Sequence, residues 1–197
     1  MSSLYKVETQ IPYLEDLFTP WKTVIGADYE GYRNHVYRMV QFCWALKQAQ
    51  GESLSEEDKK KTMIAGVFHD IGIWTEHTVD YIEPSISPAM EYLETHQLVS
   101  WKDEIRLMIS EHHKLRTYSG DYQNMVELFR KGDLMDFSLG LAKLDLTRTY
   151  IKEMKSALPN AGFHKGLIKI SAILFRKKPF HSIPESRFGF LSITIFF

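Results

Sequence analysis

The chain has 197 residues, with 24 lysines and arginines against 25 aspartates and glutamates, eight histidines and one cysteine. This length fits one domain, or one domain with an appendage, and 44% hydrophobic with 25% charged residues is a globular composition, neither disordered nor fibrous. The net charge of −1 argues against a grip on a nucleic-acid polymer, and a lone cysteine makes neither an internal disulfide nor a cysteine-rich zinc site, so any metal would be held by nitrogen and oxygen.

Apolar spacing is helical almost throughout. Ile11 to Phe18 predicts a short helix closed by Pro20. Tyr29 to Ala49 predicts a long one, with Val36, Met39, Val40, Cys43, Trp44 and Leu46 on its apolar face and Gly51 as its stop. Ser55 with Asp58 makes a variant capping box, and the helix it opens runs through Met63, Ile64, Val67 and Phe68 to His69-Asp70, where Gly72 breaks it. A polar connector is expected from Thr75 to Ser85. Ser87-Pro88 then reads as the cap and first position of a helix reaching about Leu98. Ser100 with Asp103 opens the next, through Ile105, Leu107, Met108 and Ile109 to His112-His113. Thr117 to Asp121 is a loop. Tyr122 to Phe137, Leu141 to Leu158 (stopped by Pro159) and Phe163 to Phe175 are the remaining helices, and Leu191 to Phe197 is the one strand candidate.

The expected architecture is a single all-α domain of about seven to nine helices over residues 1–175, followed by a C-terminal extension over 176–197. The basic run Arg176-Lys-Lys and the apolar end of that extension read as a stretch folded back on the core, with a homodimer contact or a membrane-surface anchor as alternatives. The N-terminal stretch, with Glu8, Glu15 and Asp16, has no secretory apolar run, and no stretch approaches the roughly 20 apolar residues of a membrane helix. Together with the free Cys43 this sets an expectation of a cytoplasmic protein without a membrane partner.

Four polar groups interrupt apolar helix faces: His35, His69-Asp70, His112-His113, and the pair Asp133 and Asp136. A buried carboxylate or imidazole is costly unless it is paired or bound to metal, and one shared ion would serve several helices at once. Imidazole with carboxylate suits Mn, Fe, Co, Ni, Zn or Mg, and an ion with open positions activates water. Adjacent His69 and Asp70 diverge on an ideal helix but can converge at a helix terminus, which Gly72 supplies. The alternatives are plain. His35 by itself would be a satisfied core histidine, and His112-His113 an exposed pair favoured by a helix C-terminus. Arg33, Arg38, Lys114 and Arg116 would be solvated charge or an anion clamp. Glu76, His77 and Asp80 would be a polar loop or a source of a general acid or base.

The ordered set His35, His69-Asp70, Asp133 resembles the HD-domain superfamily of metal-dependent phosphohydrolases, whose motif is a His, a His-Asp doublet and a distant Asp on separate helices. Phe-His-Asp-Ile-Gly matches the doublet's context, Gly-Asp-Leu-Met-Asp matches the last motif, and the resemblance spans about Tyr29 to Phe137. It implies one divalent ion on His35, His69, Asp70 and Asp133, with Asp136 as an outer partner. It also implies a hydroxide-like water, oriented by Asp70, that attacks a small phosphate ester in line. Lys114, Arg116 or Arg33 would offset phosphoryl charge, His112 would stand beside the ion, and nucleotides are the leading substrate class. Many relatives carry a phosphate-meeting Lys where this chain has Ile73, and relatives with two metals carry a His where it has Glu83 to Pro88, so a mononuclear site is expected. Two further readings stay open: a di-iron oxygenase or nitrile-type hydratase of the wider superfamily, and a non-catalytic metal-binding module.

Overall fold

The computed structural model describes residues 5–163 and 165, apart from 79, 115, 139 and 143. In chain order it contains α1 (Pro12–Phe18), α2 (Lys22–Ile25), α3 (Tyr29–Ala49), α4 (Glu56–Phe68), α5 (Gly72–Thr75), α6 (Ile82–Thr95), α7 (Lys102–Glu111), α8 (Gln123–Phe137) and α9 (Arg148–Ala157), with short 3-10 turns at Thr19–Trp21, Gly26–Asp28 and Val99–Trp101. No strand occurs among the described residues, and the fold is all-α. None of their helices is long and apolar enough to cross a membrane. The helix expected from Phe163 to Phe175, the strand candidate from Leu191 to Phe197 and the extension all extend or lie outside the described residues.

The capping signals act as expected where they are local. Ser55 accepts the Asp58 backbone N–H at 3.0 Å, and Glu56, Glu57 and Asp58 fill the first turn of α4, where negative charge suits the helix dipole. Gly51 takes φ 78°, the left-handed geometry that closes α3.

Three boundaries differ. The helix expected from Ser87-Pro88 begins at Ile82 instead, with Pro84 in its first turn and Pro88 inside it. Proline is tolerated in a first turn because those N–H groups have no intrahelical partner. Pro88 is carried by tertiary packing: Ile86, Ala89, Met90 and Leu93 are buried on one face of α6. Ser85, expected in a loop, is buried and accepts the Gly72 N–H at 2.9 Å, which fastens α6 to α5. The helix expected over Leu141 to Leu158 is only Arg148–Ala157. It is capped by the Thr147 side chain, and the residues before it include left-handed Leu144 and Asp145. Before α7, Ser100 lies in a 3-10 turn and caps nothing.

Two glycines set the helix spacing that matters for function. At Gly132 in α8, a Cβ would meet Cys43 Sγ and would lie 2.9 Å from the Met39 carbonyl of α3. At Gly66 in α4, a Cβ would lie 3.0 Å from Val40 and 3.1 Å from Val36 of α3. Both neighbours therefore press close to α3, and the polar residues next to those glycines meet the polar residues of α3.

Candidate metal centre

The pressed helices bring His35, His69 and Asp70 together, one ligand atom from each lying within 4.8 Å of the others, and set Asp133 beside the two histidines. His35 projects from α3, His69 and Asp70 from the turn that ends α4, and Asp133 from α8. His35 Nε2 lies 3.2 Å from His69 Nε2 and 3.5 Å from Asp133 Oδ1. His69 Nε2 lies 3.2 Å from Asp70 Oδ2 and 3.9 Å from Asp133 Oδ1. Donors held about 2 Å from one ion in a tetrahedron stand roughly 3.3 Å apart, which is the scale of these separations. All four residues are buried, Asp133 most openly at 8% exposure. His112, buried at the end of α7, completes the rim with Nε2 3.5 Å from Asp70 Oδ1.

The outer contacts decide which nitrogen faces inward. His69 Nδ1 donates to the Gly66 carbonyl at 2.7 Å, and His112 Nδ1 donates to the Ile109 carbonyl at 2.6 Å. A carbonyl only accepts, so each of these Nδ1 atoms carries a hydrogen. His35 Nδ1 donates to Asp136 Oδ2 at 2.7 Å. Asp136 is held well below the ordinary carboxylate range: burial opposes its charge, but Arg38 and His35 outweigh it. In the neutral imidazoles all three Nε2 atoms are then lone pairs aimed at the same region, the tautomer that metal ligation requires. Two facing lone pairs 3.2 Å apart repel unless a proton or a metal cation lies between them.

The donor set fits a divalent ion. Asp70 Oδ1 is buried with no hydrogen-bond partner, and such an orphan is the atom an ion or its water would satisfy. Without a metal a proton serves instead. Burial acts to lower the His69 imidazole, but Asp70 and Asp133 overcome it and push its pKa up to about 9. Asp70 moves the other way, burial being outweighed by His69 and His112, and stays ionised well below the usual range.

No family model, curated protein or solved structure matches the chain. The centre is thus defined by its own atoms: two imidazoles and two carboxylates from three elements, edged by a third imidazole.

The expected cationic residues are paired or exposed. Arg33 is engaged by Glu15, donates to the Thr9 carbonyl at 2.9 Å and stacks 4.2 Å above the Tyr37 ring. It faces α1 and does not join the four donors. Lys114 is exposed and bonds Glu111 at 2.8 Å within its own turn, and Arg116 is exposed on the loop beyond. Of the loop residues, Glu76, His77 and Asp80 are exposed.

Several residues at the centre carry no signal in the sequence. Tyr32 donates to the Val67 carbonyl at 2.9 Å and accepts the Asp70 N–H at 3.3 Å, which braces the doublet's turn. Tyr81 is buried with its hydroxyl 3.5 Å from His112 Nε2, and burial with the Asp70 and Asp133 charges raises its pKa well above the ordinary value. Phe163 stacks on the His35 ring, centroids 4.3 Å apart. Aromatic residues in helices read as ordinary core, and only the fold singles these out.

Proposed function

We propose that His35, His69, Asp70 and Asp133 hold one divalent metal ion and that the centre hydrolyses a small phosphate ester, the activity expected of an HD-type domain. The observation that carries this reading is the meeting of two imidazole lone pairs, Nε2 of His35 and His69 at 3.2 Å, beside two carboxylates. Electron-rich atoms gather in a buried place around a cation. When bound, such an ion lowers the pKa of water and polarises a phosphoryl oxygen. Asp70 Oδ1, buried without a hydrogen-bond partner, would orient that water. Tyr81, kept neutral, places its hydroxyl beside His112 Nε2 at the rim of the centre. The burial of the donor set excludes bulk water and strengthens each of these contacts.

The test is metal content and a phosphate-ester screen on the wild type and His69→Ala. One equivalent of metal, with phosphate release lost in His69→Ala, is the expected result. Two irons with no phosphate release would sink it in favour of oxygen chemistry. No bound metal, and unchanged stability in His69→Ala, would leave a non-catalytic module. A second reading has one observation in its favour: Arg33 is spent on Glu15 and Lys114 on Glu111, so neither stands by to neutralise a phosphate. That arrangement favours a small substrate of little charge, hydrated as a nitrile would be.

A further inference from the structure

Arg38 lies in the middle of α3, 2% exposed, with no part in the chemistry above. A buried guanidinium is costly unless its donors are used. Here they serve three partners. Nε and Nη2 donate to both oxygens of Asp136, at 2.5 and 2.7 Å. Nη1 donates to the backbone carbonyls of Leu158 and Pro159, at 2.9 and 3.3 Å. Asp136 in turn accepts from His35 Nδ1 at 2.7 Å. Asn34, one residue before His35, donates to the Pro159 carbonyl at 2.9 Å. Phe163 then lays its ring on His35, tilted by only 17°. Gly31 leaves the room for it, since a Cβ there would stand 3.2 Å from both Phe163 N and Cβ. The stretch 158–163 thus meets His35 twice, on the ring face directly and at Nδ1 through Arg38 and Asp136.

We infer that Arg38 is a positioning residue that couples the docking of residues 158–163 to the metal donor set. The inference rests on the metal-centre reading above. Seating of the stretch holds the fork of Arg38, the fork holds the Asp136 carboxylate, and the carboxylate holds the His35 ring with Nε2 inward. Linkage makes the effect mutual: if the docked stretch favours an ion at His35, the ion favours the docked stretch by the same factor. A lysine would keep the charge but not the three-way fork.

The test uses the full chain with Co²⁺ as the probe. Wild type, Arg38→Met, Arg38→Lys and Phe163→Ala are titrated, with affinity read from the visible cobalt bands. Hydrogen exchange of the amides in 158–163 is followed with and without Co²⁺, and circular dichroism establishes that each variant is folded. Expected for the wild type is slower exchange in 158–163 when Co²⁺ is bound. In Arg38→Met, Co²⁺ affinity falls about 10- to 100-fold, the range for loss of an outer partner of a metal ligand, the band shape changes, and the slowing disappears. Arg38→Lys recovers part of the affinity without the slowing. Phe163→Ala, which leaves the Arg38–Asp136 pair intact, weakens Co²⁺ several-fold and carries the test should Arg38→Met not fold. Equal affinity in all variants, or exchange in 158–163 indifferent to Co²⁺, overturns the coupling alone. A wild type that takes up no Co²⁺ overturns the metal-centre reading and this inference with it.

Discussion

Metal-free protein loses stability as the pH rises from 6.5 through 9. His69 is fully buried, yet it is surrounded by Asp70 at 3.2 Å and Asp133 at 3.9 Å, and its folded pKa of about 9 stands above the ordinary imidazole value of 6.5. A folded value above the unfolded one means that the stabilisation is complete below pH 6.5 and is lost as pH climbs through 9. That difference corresponds to about 3 kcal/mol. For a domain of this size it moves the melting temperature by roughly 6–12 °C. The assay is urea unfolding with chelator present at half-unit intervals from pH 6 to 9.5, in the wild type and in His69→Gln. The wild type should fall across the window and the variant should stay nearly flat. A wild-type stability that is level or rising, or an equal slope in His69→Gln, would refute the reasoning. The same proton competes with a metal for Nε2, so Co²⁺ or Zn²⁺ should bind more tightly as the pH rises and release about one proton at pH 7.5. Calorimetry in buffers of different ionisation enthalpy measures that number.

Gly132→Ala puts a methyl group against Cys43 Sγ and 2.9 Å from the Met39 carbonyl, and should cost about 1–3 kcal/mol in chemical denaturation. Cys43→Ala in the same chain should recover part of it, by making room on the sulfur side only. Asp136→Asn leaves Arg38 buried without its counter-charge, which should cost about 3–5 kcal/mol in thermal or urea unfolding. It should also weaken metal binding about 10- to 100-fold in calorimetric titration, because it releases His35 Nδ1. Arg33→Ala should leave metal affinity unchanged, since its partners Glu15, Thr9 and Tyr37 lie outside the donor set, at a cost of about 1 kcal/mol by thermal unfolding.

The parts of this chain that could be read from the sequence are those decided within a few residues. The Ser55 cap, the Gly51 stop and the long apolar face of α3 act locally, and each stands where its pattern puts it. The all-α class follows from the same periodicity. His35, His69, Asp70 and Asp133 were legible as polar interruptions of apolar faces, because a buried polar side chain breaks the apolar spacing wherever it stands. What local pattern could not convey were choices made across the fold. Pro88 breaks helices by its own chemistry, and only the burial of Ile86, Ala89, Met90 and Leu93 keeps α6 running through it. Arg33 and Arg38 look alike in sequence, two residues before His35 and three after it. Glu15 captures one and Asp136 the other, from 18 and 98 residues away, and that alone makes the first a surface brace and the second a partner of the centre.

The three imidazoles are oriented on very different length scales, and this bears on the order in which the molecule assembles. His69 and His112 each find the acceptor for Nδ1 three residues back, in their own helix ends. Those rings are set as soon as α4 and α7 form, on the sub-microsecond to microsecond scale of helix growth. His35 waits for Asp136, 101 residues on, and for contacts that reach Leu158 and Pro159 at separations of 120 and 125. Pairings that distant form late because the chain entropy of closing them is spent before any contact repays it. A nascent chain therefore carries two finished imidazoles long before the third is aimed.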